Sequence, residues 1–121
     1  MKIWSTDSDP RNYGYYMPGE WYRHDCCWMA WPCREGLWSN NDKTMREYAD
    51  VAHSIARFEP IKMLVAPEKI TTAKHYLKEN IEIIELKIDD SWTRDSGPNF
   101  LIGGEKLAGT DWIFNAWGEK Y

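Results

Sequence analysis

Three short runs rich in apolar residues, at 26–31, 61–66 and 81–88, alternate with two segments whose apolar residues recur at helical spacing. No other feature limits the fold as sharply. Runs of this length suit strands, and prolines punctuate them: Pro32 stops the first, Pro60 precedes the second and Pro67 follows it. Strand, helix, strand, helix, strand is the pattern of an α/β fold, and α/β is the predicted class.

The connections can be read locally. Asn40, Asn41 and Asp42 are helix N-cap candidates, and Met45, Tyr48, Ala49, Ala52, Ile55 and Ala56 then form one apolar face. That helix is predicted to end near Phe58, just before Pro60. Pro67 suits the first turn of the second helix, where a missing N–H costs nothing, and Ile70, Ala73 and Leu77 supply its stripe. Ile81, Ile83, Leu86 and Ile88 are predicted to lie on a strand buried on both sides. Gly103-Gly104, between Phe100-Leu101-Ile102 and Leu107, reads as a hairpin turn, and Trp112-Ile113-Phe114 as a last short strand. Residues 1–12 read as a loose polar tail. Residues 13–22, aromatic but interrupted by Gly14, Pro18 and Gly19, read as a wrap around an edge of the core. There is no internal repeat, low-complexity tract or clear domain linker.

Composition removes several function classes. A chain of 121 residues with net charge -4 and no basic patch does not suit nucleic-acid binding. The polar start shows no secretory signal, and no apolar run reaches membrane-spanning length. Three cysteines, two of them adjacent, do not make a disulfide framework, which points to a reducing, cytoplasmic setting. Eight Trp and seven Tyr supply large burial area, each with a polar N–H or O–H that needs a partner.

The chemistry concentrates in Asp89-Asp90-Ser91-Trp92-Thr93-Arg94-Asp95-Ser96-Gly97-Pro98. Three carboxylates, an indole and a guanidinium share a predicted loop. A carboxylate takes two parallel N–H bonds from a guanidinium, and an aromatic face attracts the same cation. The implied ligand is a planar cation of arginine type.

Four blocks carry a family resemblance. They are Tyr16-Met17-Pro18-Gly19-Glu20-Trp21 with His24 following, Trp28-Met29-Ala30-Trp31-Pro32, the segment from Asp90 to Pro98, and Gly109-Thr110-Asp111-Trp112-Ile113-Phe114-Asn115-Ala116-Trp117-Gly118. In family order and across nearly the whole chain after the tail, they resemble the N-terminal part of agmatine deiminase, in the peptidyl-arginine-deiminase-like branch of the guanidine-modifying enzymes. The third and fourth blocks are the specific ones. Gly19 departs from the family's more frequent Ala, a small residue for a small one.

The resemblance implies a pentein-type α/β propeller of ββαβ-like modules, with residues 13–121 as its N-terminal modules. It implies that a Cys thiolate attacks the guanidinium carbon of agmatine, ammonia leaves, and water releases N-carbamoylputrescine. Asp95 matches the acid that grips the guanidinium, Trp92 matches the motif's aromatic, and Asp90 is expected to line the same pocket. The family's nucleophilic Cys and base His fall in later segments, so this chain is expected to be a fragment, a split gene product or a truncated reading frame, with no catalytic residue of its own. No metal or organic cofactor is implied.

Other side chains carry plainer readings. Cys26 and Cys27 read as small hydrophobes on opposite faces of a buried strand, not as nucleophiles, since no base is positioned beside them. A zinc site from His24, Cys26, Cys27 and Cys33 lacks paired C-x-x-C spacing. His53 and His75 read as surface or boundary residues of the two helices. Arg94 is expected to hold carboxylates in register through buried pairing, and Trp112 and Trp117 to serve packing. The region 79–85 reads as a solvated acidic rim.

Beside the enzyme reading stand two others: a non-catalytic remnant or interaction domain of the same fold, and a fragment of a peptidylarginine deiminase-like enzyme. A sugar-binding module would need its Trp residues exposed on one face. Strand edges and aromatics left open in a partial propeller predict self-association, or pairing with a missing C-terminal chain.

Overall fold

The computed structural model describes residues 9–119. Among them, Arg23–Thr93 make one compact unit, and the residues before and after that stretch make a second.

In the first unit, β1 (Cys27–Ala30), β2 (Ile61–Val65) and β3 (Ile81–Glu85) form a parallel sheet in the order β1-β2-β3. Cys27 pairs with Ile61, and Ile61 with Ile81. The connections are α1 (Asn41–Ile55) and, after a 3-10 turn at Pro67–Lys69, α2 (Ile70–Tyr76). Parallel neighbours require such crossovers, and crossovers of one hand moving one way across a sheet put their helices on the same face. The core agrees. Alternate β2 residues Ile61, Met63 and Val65 are buried against Ala49 and Ala52 of α1 and against Ala73 and Leu77. Small alanines let the helices approach the sheet closely. Each large buried side chain contributes about 1.5–3 kcal/mol.

The residues between them point the other way, since side chains alternate along a strand. Trp28, Lys62 and Glu82 lie side by side across the three strands by register. Lys62 Nζ sits 5.4 Å from the Trp28 ring centroid and 3.7 Å from a Glu82 carboxylate oxygen.

The N-cap expectation holds. Asn40 is extended, and its side-chain oxygen accepts the Lys43 N–H at 3.0 Å. The helix stops at Ile55 rather than near Phe58, where Phe58 N–H instead returns to the Ile55 carbonyl at 2.8 Å and closes a turn. The third strand also differs from expectation. Ile81 is buried and Ile83 and Ile84 are half-buried, while Leu86, exposed, and Ile88 lie past the strand; among the described residues β3 is an edge of this sheet, with no neighbour on one side.

In the second unit, β4 (Asn99–Gly103) and β5 (Lys106–Thr110) form the antiparallel hairpin predicted from the glycines. The turn is Gly104-Glu105, one residue later than expected. Gly104 takes φ +61°, which suits a residue without Cβ, while a Cβ on Gly103 would fall 2.9 Å from the Tyr15 ring. The aromatic segment meets this hairpin: Tyr16 and Ile102 exchange two backbone hydrogen bonds at 2.9 Å. Of the predicted tail, residues 1–8 lie outside the described residues, and Pro10–Tyr13 form a 3-10 turn capped by Asp9. Trp112-Ile113-Phe114 is not a strand. It has no ladder partner among the described residues, and Ile113 is 98% exposed.

Candidate functional site

Of the residues singled out in the acidic segment, Asp90 and Trp92 belong to the parallel-sheet unit and Asp95 to the hairpin unit. Each group is built differently.

Asp90 follows β3 on the way out of the sheet. Its Oδ1 accepts the Ser91 N–H at 2.8 Å, and its Oδ2 lies 3.3 Å from Arg34 Nη1. Ser91 is buried and shares a 3.0 Å hydrogen bond between its Oγ and the Tyr48 hydroxyl. Trp92 is 40% exposed and tilts against Trp38 with centroids 6.2 Å apart. Trp38 meets Tyr48 edge-on at 6.4 Å. Arg34 and Trp38 both come from the β1–α1 connection, and neither carried a sequence signal for this position. Tyr48 was legible only as part of the apolar face of α1.

Asp95 sits in a single helical turn, α3 (Thr93–Ser96), and is exposed. Its Oδ1 accepts the Trp117 indole N–H at 3.1 Å. Trp117 lies in a left-handed stretch at Ala116–Glu119, with φ 55° at the tryptophan itself, and its ring meets Phe114 edge-on at 5.0 Å. The packing role expected of Trp117 is therefore only part of its role: its polar edge orients a carboxylate. Trp112 is 66% exposed, and it donates its indole N–H to Asn99 Oδ1 at 2.6 Å, so it is not a core residue. Arg94 pairs with Glu20 at 2.8 Å, both side chains largely in solvent, which corrects the expected buried pairing. The Glu20 hydrogen bond holds the guanidinium above its ordinary value. Arg94 thus directs its charge to the first sequence block, while Asp95 takes a neutral donor.

The cysteines are chemically quiet. Burial pushes the Cys27 thiol up, helped by the Glu59 charge, and burial does the same for Cys33 beside Asp90. That is the direction opposite to an activated nucleophile. Cys26 lies just ahead of β1 rather than on it. His24 Nδ1 lies 3.1 Å from a Glu59 oxygen, and His53 Nε2 accepts the Lys78 backbone N–H at 3.1 Å. Among the described residues, no group of three His, Cys, Asp or Glu is arranged to hold a metal ion, and no helix is long and apolar enough to cross a membrane.

The profile of the Porphyromonas-type peptidyl-arginine deiminase family matches residues 16–121. The chain belongs to that family. Among relatives, a protein of Legionella pneumophila (strain Paris) is 56% identical over 116 residues, covering 93% of this chain and 34% of its own length. An agmatine deiminase of Stutzerimonas stutzeri (strain A1501) is 45% identical over 118 residues, covering 93% of this chain and 32% of its own. The solved structure of an Enterococcus faecalis agmatine deiminase superposes with TM-score 0.86 at 34% identity, over 94% of this chain and 32% of that one. The chain therefore spans about a third of the length of the relatives it matches. The resemblance carried by the four blocks is borne out, and so is the α/β class. A Cβ on Gly19 would fall 2.6 Å from the Trp21 indole, so an alanine there requires that ring to swing away. Trp21 is 92% exposed and has room to do so.

Proposed function

We propose that this chain is part of a guanidine-group hydrolase that converts agmatine and water to N-carbamoylputrescine and ammonia, a cytoplasmic step toward putrescine in polyamine metabolism. The observation that carries the reading is the family match across residues 16–121. Relatives bearing the name agmatine deiminase support this choice of substrate. The nucleophilic Cys and the base His come from sequence other than these 121 residues. Asp95 binds the guanidinium through paired N–H bonds, Trp92 offers it a ring face, and Asp90 lines the pocket. Residues 13–121 then serve as modules of a pentein-type propeller that uses no cofactor. The exposed Leu107, Trp112 and Ile113 support self-association of the chain, or its pairing with the remaining modules.

Calorimetry with agmatine, on this chain and on Asp95→Ala, tests the assignment. Binding that is lost in the variant is the expected result. Equal binding by both would overturn the role of Asp95. The chain by itself is expected to release no ammonia from agmatine, and turnover would overturn the placing of nucleophile and base elsewhere.

A second substrate, peptidylarginine, is favoured by the family's own description. Competition between agmatine and an arginine-containing peptide separates the two, since displacement by the peptide at comparable concentration would favour the second.

A further inference from the structure

Trp92 is the ring that this reading sets against a guanidinium, and its placement is built from two residues the reading does not use. Ser91, its chain neighbour, is buried. A buried hydroxyl needs a partner, and Tyr48 on α1 supplies one at 3.0 Å. The ring of the same Tyr48 stands edge-on to Trp38, with an interplanar angle of 70°. Trp38 lies against Trp92 at 6.2 Å and 43°. Arg34, four residues before Trp38, reaches Asp90 at 3.3 Å. Every residue of Asp90-Ser91-Trp92 is thus fastened to α1 or to the connection that leads into it. A half-exposed indole without such support would sample several rotamers, and freezing it would weaken any ligand that stacks on it.

We propose that Tyr48 and Trp38 are positioning residues that set the orientation of the Trp92 indole for a planar cation; the ligand in this inference rests on the guanidinium reading above. Tyr48 acts through its hydroxyl, which pins Ser91, and through its ring, which backs Trp38. Trp38 acts through its ring alone. Its Nε1 is buried with no hydrogen-bond partner among the described residues, so a phenylalanine keeps the contact and breaks no hydrogen bond.

The test follows the Trp92 indole N–H in nitrogen-15-labelled protein, its signal assigned with Trp92→Phe. The heteronuclear NOE of that one group reports its fast motion, a quantity that a general loss of stability does not single out. Tyr48→Phe and Trp38→Leu are each expected to lower it, and Trp38→Phe to leave it as in the parent. An unchanged NOE in Tyr48→Phe and Trp38→Leu would overturn the inference, and if Trp38→Leu does not fold, Tyr48→Phe decides alone. Agmatine titrated into the same samples is expected to shift the Trp92 signal, with affinity about fivefold weaker in Trp38→Leu and retained in Trp38→Phe. A parent signal that ignores agmatine would sink the guanidinium reading, while the NOE still decides whether Tyr48 and Trp38 hold the ring.

Discussion

The indole N–H of Trp117 is bonded to Oδ1 of Asp95 at 3.1 Å, across 22 positions of sequence. It joins the two most specific sequence blocks through a neutral donor, which orients the carboxylate without neutralising it. Trp117→Phe keeps an aromatic ring and removes the donor. Under the guanidinium role proposed above for Asp95, a carboxylate that must be re-oriented on binding at a cost of about 1 kcal/mol is expected to weaken agmatine about fivefold. Unchanged affinity in calorimetry would show that the carboxylate is oriented by other means.

Asp42 provides a pH test in the first turn of α1. Arg46 Nε donates to its carboxylate at 2.8 Å and the Tyr76 hydroxyl donates as well. These partners, the Arg46 bond first, hold the Asp42 carboxyl below its ordinary value of 3.8. A carboxyl lowered in the folded state contributes stability that is complete above its unfolded value and lost as pH falls through the folded one. The urea midpoint of the parent is therefore expected to drop as the pH is taken down through this window. In Asp42→Asn that part of the drop should vanish. The group lies at the surface, so the effect should also shrink with added salt.

Asn40 caps α1 through its 3.0 Å bond to the Lys43 N–H. Asn40→Ala is expected to cost about 1 kcal/mol in urea unfolding, and Asn40→Asp to keep nearly all of the parent's stability. Equal losses in both variants would mean that the cap bond is not what the position contributes.

Ala116 lies at φ 50°, where a side chain is disfavoured and glycine is at ease. Ala116→Gly is expected to stabilise the hairpin unit by about 1 kcal/mol, read as slower amide exchange across β4 and β5. Faster exchange would show that the left-handed turn is not strained by its alanine.

The element plan was legible because it rests on local chemistry. Asn40 caps α1 from its own side chain, Pro67 opens the turn that leads into α2, and Gly104 permits the positive φ of the hairpin. The carboxylates and indole of the Asp89–Pro98 stretch stood out for the same reason: they are adjacent in sequence. The supports were not. Arg34 meets Asp90 across 56 positions and Tyr48 meets Ser91 across 43, and such pairs have no signature at either end.

Trp112-Ile113-Phe114 and Leu86 show where local reading stops. An apolar triplet becomes a strand only if a neighbouring strand completes its hydrogen bonds, and an aliphatic residue is buried only if something packs over it. Sequence alone determined the α/β alternation, the caps, the hairpin and the residue types that mark the family. Tertiary structure decided the strand order, which side of the sheet holds the core, that Arg94 goes to Glu20, and that Asp95 receives Trp117. The division follows from range: backbone preference and capping act within a few residues, whereas pairing and burial depend on which distant segments the folded chain brings together.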